Sequence, residues 1–518
     1  MEVASTEGGK RRRGMKLWSF HGGIHPPGHK RESTTRPLES APLPKELVLP
    51  MLQHLGAPAD PVVKVGDRVL KGETIARPGN FISAPIHASS SGTVVAIEER
   101  PVPHPSGLSA PCIVIETDGK EEWHPSREPA DHRDLEPAEI RDRVRQAGIV
   151  GLGGAGFPSF VKLNPGKTVK TLILNGAECE PYITCDDALM RERPEQVIKG
   201  AMVIRRAVQA QHCIIAVEDN KPAAIDTLTR TLRSEGVTDM EVVAVPARYP
   251  AGGEKQLIKV LTGKEVPSGG LPIQLGIVCH NVATAAAVFR AVELGEPLIS
   301  RIVTVSGSAV GGPRNLEALL GTPVPDLLRH CDTDFEGLGE LIMGGPMMGV
   351  ALAHHQVPLI KTGNCLLAVS RSEIEQRPVV RPCIRCGNCA EACPVNLLPQ
   401  QLYWHAQSKN LDKIQEFDLF DCIECGCCAY VCPSNLPLVH YYRFAKSEIR
   451  AQQEKKRKAD IARERHQKRL ERLEREKAER AARRARKQPV TDESKKAAIQ
   501  AALERTKAAK KESSPDEV

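Results

Sequence analysis

Cys383-Ile384-Arg385-Cys386-Gly387-Asn388-Cys389-Ala390-Glu391-Ala392-Cys393-Pro394 is followed, with 28 residues between Cys393 and Cys422, by Cys422-Ile423-Glu424-Cys425-Gly426-Cys427-Cys428-Ala429-Tyr430-Val431-Cys432-Pro433. Both runs read C-x2-C-x2-C-x3-C-P. Three thiolates two residues apart wrap one corner of a compact inorganic group in a tight loop, and this spacing is the one that holds 4Fe–4S cubanes. Gly387 and Gly426 let the backbone come close enough for its N–H groups to donate to the sulfides. Paired structural zinc would instead show two CxxC pairs split by a longer loop. Cys427 falls between ligand positions and reads as a packing thiol, and a helix is expected around Pro399–Ser408.

The doubled run resembles the two-cluster ferredoxins, in which the fourth Cys of each run serves the other cluster. That resemblance implies one cluster on Cys383, Cys386, Cys389 and Cys432, and a second on Cys422, Cys425, Cys428 and Cys393. Such a segment conducts electrons and performs no bond chemistry, so no catalytic residue is assigned.

The whole chain has 518 residues, which suggests three or four domains of ordinary size. Hydrophobic residues make up 41% and charged residues 26%, as in folded globular proteins. Aromatics at 3% argue against a base-stacking platform, and no nucleic-acid partner is expected. The net charge of +7 is local: residues 451–518 carry 22 Lys and Arg against 13 Asp and Glu, which leaves −2 for the remainder. The most apolar stretches, Cys213–Val217 and Ala285–Phe289, are far shorter than the ~18 residues a membrane-crossing helix needs. Lys10-Arg11-Arg12-Arg13 has no apolar run behind it, so a secretory signal is not expected. Sixteen cysteines in such a chain point to metal binding in a reducing compartment.

Working outward from the cysteine segment at 377–445, the sequence reads as a multidomain α/β and β protein. Residues 1–44 form an irregular arm. Residues 45–100 alternate apolar and polar positions, with turns at Gly66-Asp67 and Lys71-Gly72. They resemble the barrel-sandwich fold of biotinyl and lipoyl domains, but the turn that would carry the modified Lys reads Pro85-Ile86-His87-Ala88. A docking module is therefore expected, not a swinging arm. A linker is expected over 101–137, an α/β domain over 138–304 and a small β-rich domain over 305–370. In the α/β domain, strands are predicted at Thr171–Leu174, Cys213–Val217 and Glu241–Val245, with helices at Ala138–Gln146, Pro194–Ala210, Lys221–Ser234 and Ala283–Leu294. Residues 446–518 form a basic tail, helical or disordered. Glu464–Lys468, Glu471–Arg475 and Glu476–Arg480 are candidate i,i+4 pairs, and Pro489 is a break.

A second signal is Gly151-Leu152-Gly153-Gly154-Ala155-Gly156-Phe157-Pro158, with Lys162 just beyond. A glycine cluster opening a helix presents N–H groups to phosphate, although such loops are also plain turns. It is followed in order by Asn175-Gly176-Ala177-Glu178-Cys179-Glu180-Pro181, Tyr249-Pro250-Ala251-Gly252-Gly253-Glu254 and His280-Asn281-Val282-Ala283-Thr284. The series resembles the flavin-binding subunit of respiratory complex I and its hydrogenase relatives, which bind FMN and NADH. The resemblance implies that Gly151, Gly153, Gly154 and Lys162 cradle the flavin phosphate and ring edge. Asn175, Glu178, Gly252, Glu254, Asn281 and Thr284 would line the pocket, and Phe157 and Glu180 would face the nicotinamide nucleotide. Leu152, Phe160, Gly253 and His280 depart from that family's Arg, Gly, Glu and Asn.

Taken with His25-Pro26-Pro27, Gln53-His54-Leu55-Gly56-Ala57-Pro58 and Gly344-Gly345-Pro346-Met347-Met348-Gly349, residues 16–445 resemble the RnfC family of the Rnf/Rsx ion-translocating electron transport complex. That family implies a peripheral component on the cytoplasmic side of the inner membrane. It would relay electrons between NADH, through a flavin, and membrane-embedded subunits of an ion-translocating oxidoreductase by way of two 4Fe–4S clusters. The tail would attract anionic lipid. The alternatives are a cluster-bearing adaptor whose flavin domain is degenerate, and a subunit of a soluble NADH-linked hydrogenase or formate dehydrogenase.

Overall fold

Short alternating segments of β-branched residues build the N-terminal module as two small antiparallel sheets. In the computed structural model, which describes residues 15–376, 379–486 and 491–511, Glu46–Pro50, Ser109–Thr117, Gly92–Pro101 and Arg68–Val69 form one sheet in that order. Ala59–Pro61, Thr74–Pro78 and Ile86–His87 form the other. Leu47, Leu49, Val69, Ile75, Ile86, Val94, Ile113 and Ile115 fill the space between them. Residues 101–137, expected to be a linker, instead contain a core strand of this module. Ser109–Thr117 pairs with Glu46–Pro50 on one side and Gly92–Pro101 on the other, so it is an interior strand. Its core, Cys112-Ile113-Val114-Ile115, is wholly buried, and the prolines and charges that suggested a linker lie around it.

The α/β domain contains four parallel strands in the order Met240–Val245, His212–Glu218, Thr171–Gly176, Ile277–Asn281. The two interior strands are continuous apolar runs, as expected of a parallel sheet covered on both faces. Helices Pro137–Gln146, Pro194–Val208, Pro222–Ser234 and Val282–Glu293 lie close to the predicted bounds. The fourth strand, Ile277–Asn281, is not among the predicted ones; it starts right after Gly276 and runs straight into a helix with no turn between them. Helices Pro194–Val208 and Val282–Glu293 touch backbone to backbone, and a Cβ on Gly200 would sit 2.0 Å from the Ala285 carbonyl oxygen.

The following β region is a six-stranded sheet in the order Glu39–Ser40, Arg314–Leu319, Ser300–Ser306, Cys365–Ser370, Leu338–Met343, Val350–Leu352. Its edge strand comes from the N-terminal arm, which is therefore not merely irregular: Glu39 and Ser40 pair in parallel with Leu316 and Glu317. The cysteine segment folds into short helices, among them Asn388–Glu391, Pro399–Gln407, Leu411–Glu416 and Cys427–Tyr430.

The chain divides into two compact units, Met1–Phe444 and Ala445–Val518. Within the second, Glu464 and Lys468 pair at 2.6 Å as expected, whereas Glu476 meets Arg472 at 3.7 Å. Pro489 lies outside the described residues. Among the described residues, no helix is long and apolar enough to cross a membrane.

Candidate cofactor sites

The two cysteine runs share one backbone conformation. Arg385 and Glu424, inside the first CxxC of each run, have φ of 60° and 58°. Gly387 and Gly426 have φ of 88° and 80°, and Asn396 and Asn435, beyond the prolines, have 55° and 52°. This left-handed pattern curls each loop inward. The N–H groups of Arg385 and Glu424 come to 3.4 Å from the Sγ atoms of Cys383 and Cys422, and that of Leu397 comes to 3.4 Å from Cys393 Sγ.

The curled loops gather the eight thiols into two sets that cross between the runs. Cys383, Cys386, Cys389 and Cys432 line one cavity of about 260 Å³. Cys393, Cys422, Cys425 and Cys428 line another. The first set is the more open, with Cys386 exposed; Cys393, Cys425 and Cys428 of the second are buried. Among the described residues, no three of these thiols lie within 4.8 Å of one another. A single tetrahedral ion with Zn–S bonds of about 2.3 Å would draw them closer than that. Four thiols around a cavity, with N–H groups aimed at the sulfurs, fit a cubane. Cys427 is fully buried among Ile24, Tyr249 and Ala392.

The second set abuts the α/β domain. Tyr249 Oη donates to the Cys425 carbonyl at 2.7 Å. A Cβ on Gly426 would lie 3.0 Å from the Met347 carbonyl oxygen. Met347 and Met348 in turn donate their N–H groups to Glu180 Oε1, each at 2.8 Å.

The glycine loop is closed on itself by Gly151 N–H to the Phe157 carbonyl, at 2.8 Å, and by Gly156 N–H to the Gly151 carbonyl, at 3.1 Å. Phe157 is half-buried. Thr284 Oγ1 accepts from Leu152 N–H at 2.9 Å. Asn281 caps the helix Val282–Glu293 through Oδ1, and its Nδ2 donates to Asp186 Oδ2 at 2.6 Å. Gly153 lies against Asn281, while Gly154 has φ 109° and nothing within 4 Å of where a Cβ would be. The loop thus presents an open face at Gly154. Lys162 Nζ sits between Glu254 Oε2 at 2.6 Å and the Cys279 carbonyl at 2.8 Å, and Asn175 Nδ2 donates to the Gly252 carbonyl at 2.8 Å.

Two expected pocket carboxylates are engaged by backbone donors. Glu178 accepts from the N–H groups of Asp186 and Asp187 at the start of helix Cys185–Glu192. Glu180 holds the Met347-Met348 turn, and burial raises its pKa. Burial and the neighbouring Glu178 charge push Asp186 up to about 7. His280, one of the departures, is buried and its Nε2 has no partner. Burial and the Lys162 charge lower its pKa to about 3, so it stays neutral. Gly154 thus offers an open loop face and His280 an unpaired buried nitrogen, while Lys162 is already paired with Glu254.

Sequence reasoning missed the residues that hold the loop from a distance. Arg301, fully buried on the six-stranded sheet, donates to the Leu152 carbonyl at 2.8 Å and also to the Lys361 carbonyl. No local signal announces a partner 149 residues away. Replacing Thr284 with valine should leave the buried Leu152 N–H unpaired and cost about 1–3 kcal/mol, read as a lowered denaturation midpoint. An unchanged midpoint would show that the hydroxyl does not hold the loop.

Residues 144–290 match the family described as Nuo51 FMN-binding domain, residues 18–120 the RnfC barrel sandwich hybrid domain, and residues 382–436 the 4Fe-4S dicluster domain. Over 451 residues, 87% of its length, the chain is 52% identical to the C component of the ion-translocating oxidoreductase complex of Pseudomonas aeruginosa. It is 47% identical over 451 residues to the protein of the same name from Yersinia pestis bv. Antiqua and covers 72% of it. It spans 58% of the length of the Pseudomonas protein. A crystal structure of an NAD+-reducing NiFe-hydrogenase in the H2-reduced state aligns over 62% of each chain, at 20% identity and a TM-score of 0.44.

Proposed function

Because this chain belongs to the RnfC family of the ion-translocating oxidoreductase complex, we propose that it is the electron-relaying component of such a complex. In this reading it takes electrons from NADH at the α/β domain and delivers them toward the other subunits. The observation that carries the reading is the sorting of eight thiols from two runs into two crossed sets, one of them packed against the nucleotide-type loops. A flavin, when bound, would supply two-electron hydride chemistry and clusters would supply one-electron transfer, while the protein supplies position and environment.

Each residue's part follows from its contacts. Cys383, Cys386, Cys389 and Cys432 would hold one cluster, and Cys393, Cys422, Cys425 and Cys428 the other. The Gly151–Gly154 loop would hold the flavin phosphate, with Lys162 as its cation. Thr284 and Asn281 fix the loop, while Glu254 orients Lys162. Glu178, which accepts from the start of helix Cys185–Glu192, would line the flavin pocket, and Phe157 and Glu180 would face the nicotinamide nucleotide. The protein would lie on the cytoplasmic face of the inner membrane as a peripheral component, with the basic tail drawn to anionic lipid.

Anaerobic purification should yield iron and sulfide near two cubanes per chain together with a flavin, and NADH should bleach the cluster absorbance. A second reading, in which the α/β domain only docks, is favoured by the Lys162–Glu254 pair and by the prior engagement of Glu178 and Glu180. Flavin-free protein with full iron would support that second reading; zinc in place of iron would sink both.

A further inference from the structure

The arm around His25-Pro26-Pro27 has no role in the scheme above, yet it touches both proposed cofactor regions. His21 Nδ1 donates to the carbonyl of Cys393 at 3.0 Å, and Gly23 N–H donates to the carbonyl of Ala392 at 3.0 Å. One residue on, Ile24 exchanges two hydrogen bonds with Tyr249, at 2.8 and 3.0 Å. Tyr249 belongs to the Tyr249–Glu254 motif and reaches Cys425 through its hydroxyl. Gly22 has φ 66°, and a Cβ there would lie 2.6–2.7 Å from backbone atoms of Ala392 and Cys393. Gly23, at φ 80°, is as close to the Tyr249 carbonyl oxygen, at 2.7 Å. Only glycine fits where three backbones meet this closely.

The same arm goes on to hold the other motif. Lys30 Nζ donates to the carbonyls of Glu178, Glu180 and Ile183 at 2.8, 2.9 and 2.7 Å. Tyr182 donates its N–H to the Gly28 carbonyl, and its ring stacks on His29 with centroids 4.5 Å apart.

We propose that residues 21–30 are a brace that fixes the Ala392-Cys393 ligand loop against the Tyr249–Glu254 and Glu178–Ile183 loops, with His21, Gly22 and Lys30 as its positioning residues. The proposal rests on the relay reading for its purpose and on hydrogen bonds between three separate segments for its geometry. A brace of this kind keeps the donor and acceptor sides at one separation while the flanking domains fluctuate.

The test uses the full chain, reconstituted anaerobically with iron and sulfide, in unaltered, His21→Ala, His21→Gln and Gly22→Val forms. Amide hydrogen exchange at Gly23, Ile24 and Tyr249, whose N–H groups make the bonds of the brace, reads it directly, with or without cofactors. Pre-steady-state NADH reduction then separates flavin reduction from cluster reduction. His21→Ala should raise exchange at these three amides and slow cluster reduction about threefold to tenfold, the weight of one hydrogen bond. Flavin reduction and iron content should stay as in the unaltered protein, and His21→Gln should restore cluster reduction. Gly22→Val, which cannot fit between the backbones, should slow cluster reduction about tenfold or more. Unchanged exchange in Gly22→Val, or altered exchange with cluster reduction at full rate, would overturn the brace. Failure of NADH to reduce the flavin of the unaltered protein would overturn the relay reading instead and leave the exchange result to decide the brace.

Discussion

Cys393→Ala is expected to remove about half of the iron and acid-labile sulfide and to abolish the same paramagnetic signal that Cys425→Ala abolishes. Cys432→Ala should abolish the other signal, together with Cys383→Ala. The grouping follows from geometry. Cys393 closes the first run but lines the cavity of Cys422, Cys425 and Cys428, whereas Cys432 closes the second run and lines the cavity of Cys383, Cys386 and Cys389. The two losses should also differ in kind. Three of the four thiols of the Cys393 set are buried and Cys425 lies against Tyr249 and Met347, so an unfilled cavity there loosens packing with the α/β domain. The Cys432 set opens outward at Cys386, and its loss should disturb the rest of the chain less. Spectra that group Cys393 with Cys383, Cys386 and Cys389 would refute the crossed arrangement.

Stability should rise with pH between about 7 and 10, and Lys361→Met should flatten that rise. Lys361 is fully buried where the N-terminal module meets the α/β domain. Its Nζ donates to the carbonyls of Pro85 and Gly148, both at 2.9 Å, and burial alone lowers its pKa to about 7. A base with a depressed folded pKa is held neutral by the fold while the unfolded chain takes up the proton. Between about 7 and 10.5 the unfolded state therefore binds more protons, and stability increases with pH, by at most about 5 kcal/mol. His54 and His87, beside the same lysine, are lowered to about 4 and about 3 by burial and by its charge. They add a further rise between those values and about 6.5, so acid should open this junction first. In Lys361→Met the two carbonyls lose their donor, which costs about 1–3 kcal/mol each at high pH but removes the charge penalty at neutral pH. Denaturant midpoints measured from pH 6 to 10 would check this; an equal slope in the variant would assign the pH dependence elsewhere.

The same residues explain what became of the barrel-sandwich turn. Its lack of a modifiable Lys was visible at Pro85–Ala88. What was not visible is that the turn is buried, with the Pro85 carbonyl held by a lysine 276 residues away. The strand Ser109–Thr117 escaped notice because its four buried residues are flanked by prolines and charges that imitate a linker. The arm reads as merely irregular because it carries no periodicity; its order comes from hydrogen bonds to other parts of the chain.

Cysteine spacing, glycine placement and the order of short motifs are local properties, encoded in consecutive residues by the reach of a few backbone bonds. From them alone came the cluster-binding loops, the nucleotide-type loop and the parallel strands between helices. The crossed thiol sets came with the ferredoxin resemblance, but which carboxylate turns inward to cap a helix and which arm ties one loop to another depend on contacts between residues as far as 372 positions apart. Those contacts exist only once burial of the cores has brought the segments together, and a linear pattern holds no trace of that proximity.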